Sequence, residues 1–169
     1  MINKIIALSL LSSSVMASEY SGFRAGGGLA ETDTNTGGLG LGIKAEGGYD
    51  LNRFIGFSLS LEGSAKRGNG SMWGSQSTTT FKIGSDIGYA IKITDTLTIK
   101  PYLDYGYVDY SQSYIGWWDV KSDLSGSYFG GGIRANIGDH FYIDLSHDDV
   151  GELPQGYLRQ NSLTFGYKF

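Results

Sequence analysis

The chain has no cysteine among its 169 residues. This absence excludes a disulfide-stapled scaffold, a thiolate metal site, a cysteine nucleophile and an N-terminal lipid-modified cysteine. Only two prolines occur and no Gly-X-Y repeat is present, so a collagen-like chain is excluded as well. Lys and Arg form no long run and the formal net charge is -4, which argues against a nucleic-acid partner. Metal-ligand spacings and nucleotide-binding motifs are also missing, so we expect no metal and no cofactor.

Glycine and tyrosine are abundant instead. The chain carries 12 tyrosines and 27 glycines, and 27 of 169 residues is about 16%. An average chain contains roughly 7% glycine. Many glycines and aromatic residues together favour strands that are joined by tight turns. Apolar runs after the N-terminus stay far below the roughly 20 residues that a membrane-spanning helix needs.

The first residues have the features of a secretory signal peptide. Lys4 supplies a positive charge, and 5–11 begins a short apolar core. Val15 and Ala17 are acceptable at the -3 and -1 positions of a cleavage site. A membrane anchor is the alternative, but the apolar stretch is too short to span a bilayer. We therefore predict a signal peptide over 1–17 and export through the periplasm.

Eight segments of the remaining chain alternate apolar and polar residues with the period of two that is typical of β-strands. In the third segment, for example, Ile55 and Phe57 alternate with Gly56 and Ser58. Such alternation fits either a soluble antiparallel sheet or a membrane barrel. The segments are 22–30, 39–49, 54–64, 79–91, 97–110, 124–137, 141–147 and 157–169.

The lengths of the connections separate these two alternatives. Short links follow the even-numbered segments, at 50–53, 92–96 and 138–140. Longer and more polar links follow the odd-numbered segments, at 31–38, 66–77, 111–123 and 148–156. Short turns at one rim and long loops at the other are typical of outer-membrane barrels. We therefore predict an all-β fold over 18–169, an eight-stranded antiparallel up-and-down transmembrane β-barrel.

Aromatic residues lie where the two interfaces of a membrane barrel are expected. Strand ends beside the short turns carry one predicted girdle, with Tyr49, Tyr89, Phe141 and Phe169. The opposite end of the fifth segment carries Tyr105, Tyr107 and Tyr110, which we assign to the lipid face. Pro101 lies inside that segment although it cannot donate a ladder hydrogen bond. We therefore expect regular strand pairing to start near Pro101, with residues 96–100 leading into the strand as a more loosely paired segment.

The closing segment ends in phenylalanine, with an apolar or aromatic residue at every second position before it: Leu163, Phe165, Tyr167 and Phe169. This pattern resembles the C-terminal signal that the barrel-assembly machinery recognises. Together with the signal peptide and the eight segments, it is similar to the small eight-stranded outer-membrane barrel superfamily. That superfamily includes opacity-protein-like surface antigens and the transmembrane domain of outer membrane protein A. The resemblance implies the bacterial outer membrane as location, whereas activities within the superfamily range from adhesion to membrane anchoring and catalysis.

Charged residues occupy many positions that face the barrel interior in this reading. Six are basic and five are acidic, and an eight-stranded barrel is just wide enough for its side chains to fill. Charges inside it must pair, since an unpaired buried ion costs several kcal/mol. We expect a salt-bridged core that plugs the lumen, and a narrow ion path is the alternative. The residues are Arg24, Lys44, Glu46, Glu62, Lys82, Asp86, Lys100, Asp104, Arg134, Asp144 and Lys168.

The third long link is the most aromatic surface segment. Tyr114, Trp117 and Trp118 lie in it. These side chains either pack on the outer leaflet and the loop itself or form an exposed adhesive patch, because aromatic residues dominate binding hot spots.

His147 lies at the outer end of the seventh segment, in phase with residues that face lipid. Its position resembles that of the histidine of lipid A deacylases, barrel enzymes with a His-x-Ser pair on the outer wall. Here the second residue onward is Asp149, and the last segment offers Asn161 where an acidic partner would be needed. A serine nucleophile is missing from that pattern, so we do not expect an enzyme.

These observations predict an integral outer-membrane protein with exposed loops and a structural, adhesive or environment-binding role. A narrow, porin-like channel is the alternative, and a lipid A-modifying enzyme is a remote one. The expected partners are outer-membrane lipid and lipopolysaccharide, the assembly machinery during biogenesis, and a host or surface ligand of the long loops.

Overall fold

A computed structural model describes residues 20–34, 40–67, 75–115, 120–153 and 156–169. Within these ranges the chain forms nine strands and no helix that is long and apolar enough to cross a membrane. The strands are β1 (Gly22–Thr34), β2 (Gly40–Asp50), β3 (Ile55–Arg67), β4 (Ser75–Gly88), β5 (Ile91–Lys92), β6 (Leu97–Ile115), β7 (Val120–Ile137), β8 (Phe141–Leu153) and β9 (Gly156–Lys168).

Eight of these strands close into a barrel, which confirms the predicted fold class. All pairings are antiparallel, β1 pairs with β9, and the pairing of β4 with β6 completes the ring. The two-residue β5 pairs with the first residues of β6. We call the rim with the links 51–54, 89–96 and 138–140 the turn end and the opposite rim the loop end.

The strands are tilted relative to the barrel axis. A path that follows directly paired residues around the wall leaves β6 at Leu97 and returns to β6 at Tyr107, ten residues further along. A stagger of this size in eight strands corresponds to a tilt of roughly 40°. The path runs through Leu97, Ile137, Phe141, Tyr167, Ala25, Gly47, Leu59, Ile83 and Tyr107.

The two faces of the wall have opposite chemistry, as the period of two predicts. All buried residues in the described strands have even numbers, and many of them are charged. Large apolar side chains at odd positions point outward, so that Ile43 is 72% exposed whereas the neighbouring Lys44 is 7% exposed. This inside-out distribution suits a barrel that is surrounded by lipid.

The strands are longer than the predicted segments, mainly at the loop end. β8 continues to Leu153, so most of the predicted link 148–156 is strand, and β6 and β7 reach into the predicted link 111–123. Polar residues fill these extensions, and sequence alternation therefore fades although the hydrogen-bonded ladder continues. Asp50, which we assigned to a short turn, is the last residue of β2 and points inward.

Pro101 belongs to β6, which contradicts the expected loose approach at 96–100. It pairs with Ile133 of β7 in unbroken register. Its carbonyl accepts a hydrogen bond from the Tyr89 amide, on the side where the ladder is interrupted between β4 and β5. An antiparallel residue directs its N and O to the same side, so the missing donor of Pro101 faces this interruption.

Candidate functional site

The turn-end half of the lumen holds a cluster of ion pairs that we call the lower network. Its side chains come from six strands and are all buried. Each long cationic side chain reaches carboxylates on several strands, so the network ties the wall together across the lumen. The members are Arg24, Asp50, Asp86, Lys100, Arg134 and Asp144.

Two arginines and one lysine organise the lower network. Arg24 donates from Nη1 to Asp50 Oδ1 at 2.6 Å and from Nη2 to Asp86 Oδ2 at 3.2 Å. Arg134 donates from Nε to Asp144 Oδ2 at 2.7 Å and from Nη1 to Asp50 Oδ1 at 3.3 Å. Asp86 is the most connected carboxylate, because Lys100 donates to its Oδ1 and Arg134 Nη1 lies 3.6 Å from its Oδ2.

A second cluster, the upper network, lies nearer the loop end. Lys82 Nζ lies 2.8 Å from Glu62 Oε1 and donates to Asp148 Oδ2. Lys44 Nζ lies 2.9 Å from Glu46 Oε2. These five residues are charged side chains of β2, β3, β4 and β8, and Glu46 also lies 3.6 Å from Arg24 Nε of the lower network.

Asp104 lies between the networks without an ion pair to any described cation. Its Oδ1 and the Oδ1 of Asp148 are buried and have no hydrogen-bond partner among the described residues. Both oxygens lie within 2.7 Å of the position that a Cβ of Gly130 would occupy, and both residues line a cavity of about 20 Å³ together with Ser58 and Tyr128. A cavity of this size holds about one water molecule.

Apolar side chains close the loop-end third of the lumen. We call this cluster the cap: Val108, Tyr110, Tyr128, Val150 and Leu158. Val108, Tyr110 and Leu158 are 0% exposed. Buried hydroxyl and amide groups lie on β3, β4 and β9, where the Gln160 amide donates to Thr80 at 2.9 Å and the Ser64 hydroxyl bonds that of Thr78 at 2.5 Å.

Glycines on the inner wall make room for tyrosine rings. A Cβ at Gly166 would collide with the ring of Tyr142, and a Cβ at Gly84 would collide with the hydroxyl of Tyr128. The tyrosine hydroxyls extend the networks, since Tyr102 donates to Asp144 Oδ1 at 2.6 Å. Glycines and tyrosines therefore share the space between the charged side chains.

The structure places all eleven predicted interior charges on the inner side of the wall. Lys168 lies at the turn-end rim, where Nζ donates to the Tyr20 carbonyl at 2.6 Å and lies 3.6 Å from Asp50 Oδ2. Sequence reasoning missed Asp50 and Asp148, because we had assigned both to links. Their even numbers, in phase with the inward face of the adjoining strands, were the available signal. With them, the described lumen contains six cations and seven carboxylates.

The outer wall carries polar groups near the loop end of β8 and β9. His147 Nδ1 lies 2.7 Å from Asn161 Oδ1, and Arg159 Nε lies 3.1 Å from Asp149 Oδ1. All four side chains are exposed. Asp149 points outward and the preceding Asp148 points inward, so these two neighbours serve opposite faces of the wall.

The sequence matches the family model of the outer membrane protein beta-barrel domain over residues 5–169. The chain belongs to this family. It is therefore a barrel of the bacterial outer membrane, and in such barrels the short turns face the periplasm and the longer loops face outward. The family match confirms the predicted outer-membrane location and the predicted barrel superfamily.

Solved outer-membrane barrels share the fold at low sequence identity. Ail, the attachment invasion locus protein of Yersinia pestis, has a TM-score of 0.63 at 15% identity, over 89% of this chain and 99% of that chain. Neisserial surface protein A has a TM-score of 0.58 at 17% identity, over 89% and 96%. The N-terminal barrel domain of Pseudomonas aeruginosa OprF has a TM-score of 0.57 at 14% identity, over 88% and 99%. A search of curated proteins finds no match.

Of the three predicted loop contacts, the structure describes the backbone of Tyr114. Trp117 and Trp118 lie outside the described residues, between the ends of β6 and β7, and Tyr114 pairs through its backbone with Val120. Tyr110, which we assigned to the lipid face, points inward into the cap, because it has an even number like the other inward residues.

Aromatic rings of the outer-membrane barrel contact one another at the turn end. Phe23 and Tyr49 have centroids 4.7 Å apart, and Tyr167 and Phe169 have centroids 5.0 Å apart. The last strand joins β1, and the Phe169 amide donates to the Phe23 carbonyl at 2.8 Å. Recognition of Leu163, Phe165, Tyr167 and Phe169 by the assembly machinery stays a prediction.

Proposed function

We propose that this protein is a closed outer-membrane barrel that acts through its loop end, as a non-enzymatic surface protein that binds a host or environmental ligand. The observation that carries the proposal is the combination of a filled lumen with a long exposed hairpin. Networks and cap occupy the lumen from the turn end to the loop end, and β6 and β7 continue beyond the cap.

The long hairpin is formed by β6 and β7. Their pairing extends to Tyr114 and Val120, whereas Tyr107 is the last outward apolar residue among the described side chains of β6. From Tyr107 to Ile115 the chain rises roughly 20 Å along the barrel axis, at about 3.3 Å per residue and a tilt of roughly 40°. The described ends of β6 and β7 therefore lie well above the apolar belt, and Trp117 and Trp118 follow β6 in the sequence.

The charges around the loop end favour a ligand that is not a polyanion. Ail of Yersinia pestis has been crystallised in complex with the heparin analogue sucrose octasulfate. In this chain the charged outward side chains that the structure describes near the loop end are mostly acidic, and the one arginine among them is paired with Asp149. These side chains are Glu31, Asp33, Asp109, Asp123, Asp149 and Arg159.

The geometry gives less support to the two alternatives. A narrow channel needs a continuous water path, whereas the cavity beside Asp104 is about 20 Å³ in volume. A lipid-modifying enzyme needs a nucleophile, whereas the hydrogen-bond partner of His147 among the described residues is Asn161.

Shortening the β6–β7 hairpin tests the proposal. Ser113 and Lys121 are directly paired, so an Asn-Gly turn between them can replace 114–120 and close the hairpin. The matched control joins Lys66 to Gln76 in the β3–β4 hairpin by the same turn. Cells that express each variant are assayed for adhesion to host cells and to solid surfaces, after heat-modifiable gel migration has verified equal amounts of folded barrel.

We expect the β6–β7 variant to lose most adhesion and the β3–β4 variant to keep it, because aromatic hot spots supply most of the binding energy of an interface. Wild-type adhesion by the β6–β7 variant would contradict the proposal.

A further inference from the structure

Two inward carboxyl groups meet over a glycine of the barrel wall. Gly130 of β7 is the register partner of Asp104 on β6 and of Asp148 on β8. A Cβ on Gly130 would lie 2.7 Å from Asp104 Oδ1 and 2.3 Å from Asp148 Oδ1. Because both distances start from one point, 2.7 Å and 2.3 Å limit the separation of the two oxygens to 5.0 Å. The glycine places no side chain between the two groups.

Both oxygens are acceptors that lack a donor. Asp104 is 8% exposed and Asp148 is 3% exposed, and neither Oδ1 atom has a hydrogen-bond partner among the described residues. Both side chains border the cavity of about 20 Å³ between the two networks. A buried acceptor without a donor is unfavourable, and two ionised carboxylates this close also repel each other. The arrangement therefore requires a group that binds both oxygens.

Every other charged side chain that lines this cavity has a partner of opposite charge. There are five such side chains, and they come from β2, β4, β7 and β8. Tyr102 and Tyr128 line the cavity too, and their hydroxyl groups are neutral. No described cation is therefore left to balance Asp104. The pairs are Glu46 with Lys44, Lys82 with Asp148 and Glu62, Asp86 with Lys100 and Arg24, and Arg134 with Asp144 and Asp50.

The missing positive charge is missing from the half of the lumen that contains Asp104. The described lumen holds six cations and seven carboxylates. When Asp104 is counted with the upper network, two lysines face four carboxylates there. The negative excess is thus concentrated around the two oxygens without a donor. These six residues are Lys44, Lys82, Glu46, Glu62, Asp104 and Asp148.

We propose that Asp104 and Asp148 form a proton-binding site, in which the two carboxyl groups of the folded barrel share one proton at neutral pH. Asp104 carries the proton, because Lys82 already stabilises Asp148 as an anion. The Asp104 hydroxyl group donates to Asp148 Oδ1, so both oxygens gain a partner. Folding takes the proton up from solution, since an aspartate of the unfolded chain is ionised at neutral pH.

A proton fits this site better than a metal ion. Protein-bound metal ions such as Ca²⁺ need several oxygen ligands. Among the residues that the structure describes, no group of three or more His, Cys, Asp or Glu side chains could hold a metal ion. One bound proton leaves six cations and six anions in the described lumen.

Infrared spectroscopy of the folded full-length barrel tests the proposal, in a detergent that has no carbonyl group. A protonated carboxyl group has a C=O stretching band that an ionised carboxylate lacks. We expect this band in the wild-type barrel at neutral pH and its loss in Asp104→Asn. The matched control Asp109→Asn, which changes an exposed acid of the same strand, should keep the band.

Two infrared results would overturn the proposal. The first is a wild-type spectrum without the band at neutral pH, which would show that both carboxyl groups are ionised. This result needs no variant, so it remains decisive if Asp104→Asn folds poorly. The second is an unchanged band in the folded Asp104→Asn barrel, which would place the proton elsewhere.

The pH dependence of stability gives an independent readout. The unfolded chain releases the proton that the folded barrel holds, so rising pH should destabilise the wild type relative to Asp104→Asn. We expect the ratio of their folding equilibrium constants to fall about tenfold per pH unit, from about pH 5 to the pH at which the infrared band disappears. Asp109→Asn should follow the wild type. Equal pH slopes for the wild type and Asp104→Asn overturn the proposal, because Asp104 would then have the same charge before and after folding.

Discussion

The lower network and the cap fill the two ends of the same lumen with opposite chemistry. In the lower network, six buried ions hold one another through directed contacts such as that of Arg134 with Asp144 at 2.7 Å. In the cap, Val108, Val150 and Leu158 exclude water by apolar packing alone. Charges inside a protein are stable only when every partner is present, whereas apolar packing weakens gradually as atoms are removed.

This difference has a consequence for how each region tolerates change. Removing Asp86 from the lower network takes away the carboxylate that Lys100 contacts and leaves Arg24 and Arg134 with fewer partners, so part of their desolvation cost is no longer offset. Removing methyl groups from the cap leaves a cavity whose cost depends on how far the neighbours can relax. The stability of the turn-end half therefore depends on the presence of every ion pair. The stability of the loop-end third depends on how fully the apolar side chains fill the available volume.

The largest effect is expected for Asp86→Asn, because Arg24, Lys100 and Arg134 all contact this carboxylate. We expect a loss of about 3–5 kcal/mol in the free energy of unfolding, measured by urea titration of the barrel in lipid vesicles. Asp104→Asn is the matched control, since Asp104 has no ion pair to a described cation, and it should cost far less. Equal losses for the two variants would show that the lower network is not a cooperative unit.

A somewhat smaller effect is expected for Leu158→Ala in the cap. The side chain is 0% exposed, and large-to-small changes in a core cost about 2–5 kcal/mol. The same urea titration measures this loss. Because apolar packing is insensitive to salt, its size should not change with ionic strength. A loss that varied strongly with salt concentration would contradict this, because it would show that Leu158 contributes through the charged networks.

The smallest effect is expected for Gly166→Ala, whose added methyl group would lie 2.3 Å from atoms of the Tyr142 ring, so that the ring must shift. Overpacking of this kind costs about 1–3 kcal/mol. Gly63→Ala is the control, because a Cβ at Gly63 has no heavy atom within 4 Å. Both variants are compared by the temperature at which heat-modifiable migration is lost. A lower temperature for Gly63→Ala than for Gly166→Ala would contradict the conclusion that Gly166 makes room for the Tyr142 ring.

The local sequence pattern was sufficient to predict, for most strand residues, whether the side chain points into the lumen or outward. Arg24, Lys44 and Lys82 alternate with apolar neighbours, and a period of two leaves a single inward phase. Asp50 and Asp148 were missed because they lie in polar stretches, where alternation no longer separates strand from link.

The partners of the charges could not be predicted from local sequence. Arg24 contacts Asp50 and Asp86, which are 26 and 62 residues away, and Arg134 contacts Asp50 at a separation of 84 residues. These pairings follow from the ten-residue stagger around the barrel, a property of the closed sheet as a whole. The cap was missed for a related reason, since its residues come from four strands and form a cluster only after closure.

The most direct test of the closed lumen is ion conductance of the purified barrel in a planar lipid bilayer. A porin of known conductance in the same chamber verifies that insertion is detectable, and heat-modifiable migration verifies that the added barrel is folded. The filled networks and the cap predict a membrane current that stays at the baseline of the protein-free bilayer. Long-lived, evenly sized current steps from the folded barrel would contradict the closed lumen and favour the narrow channel.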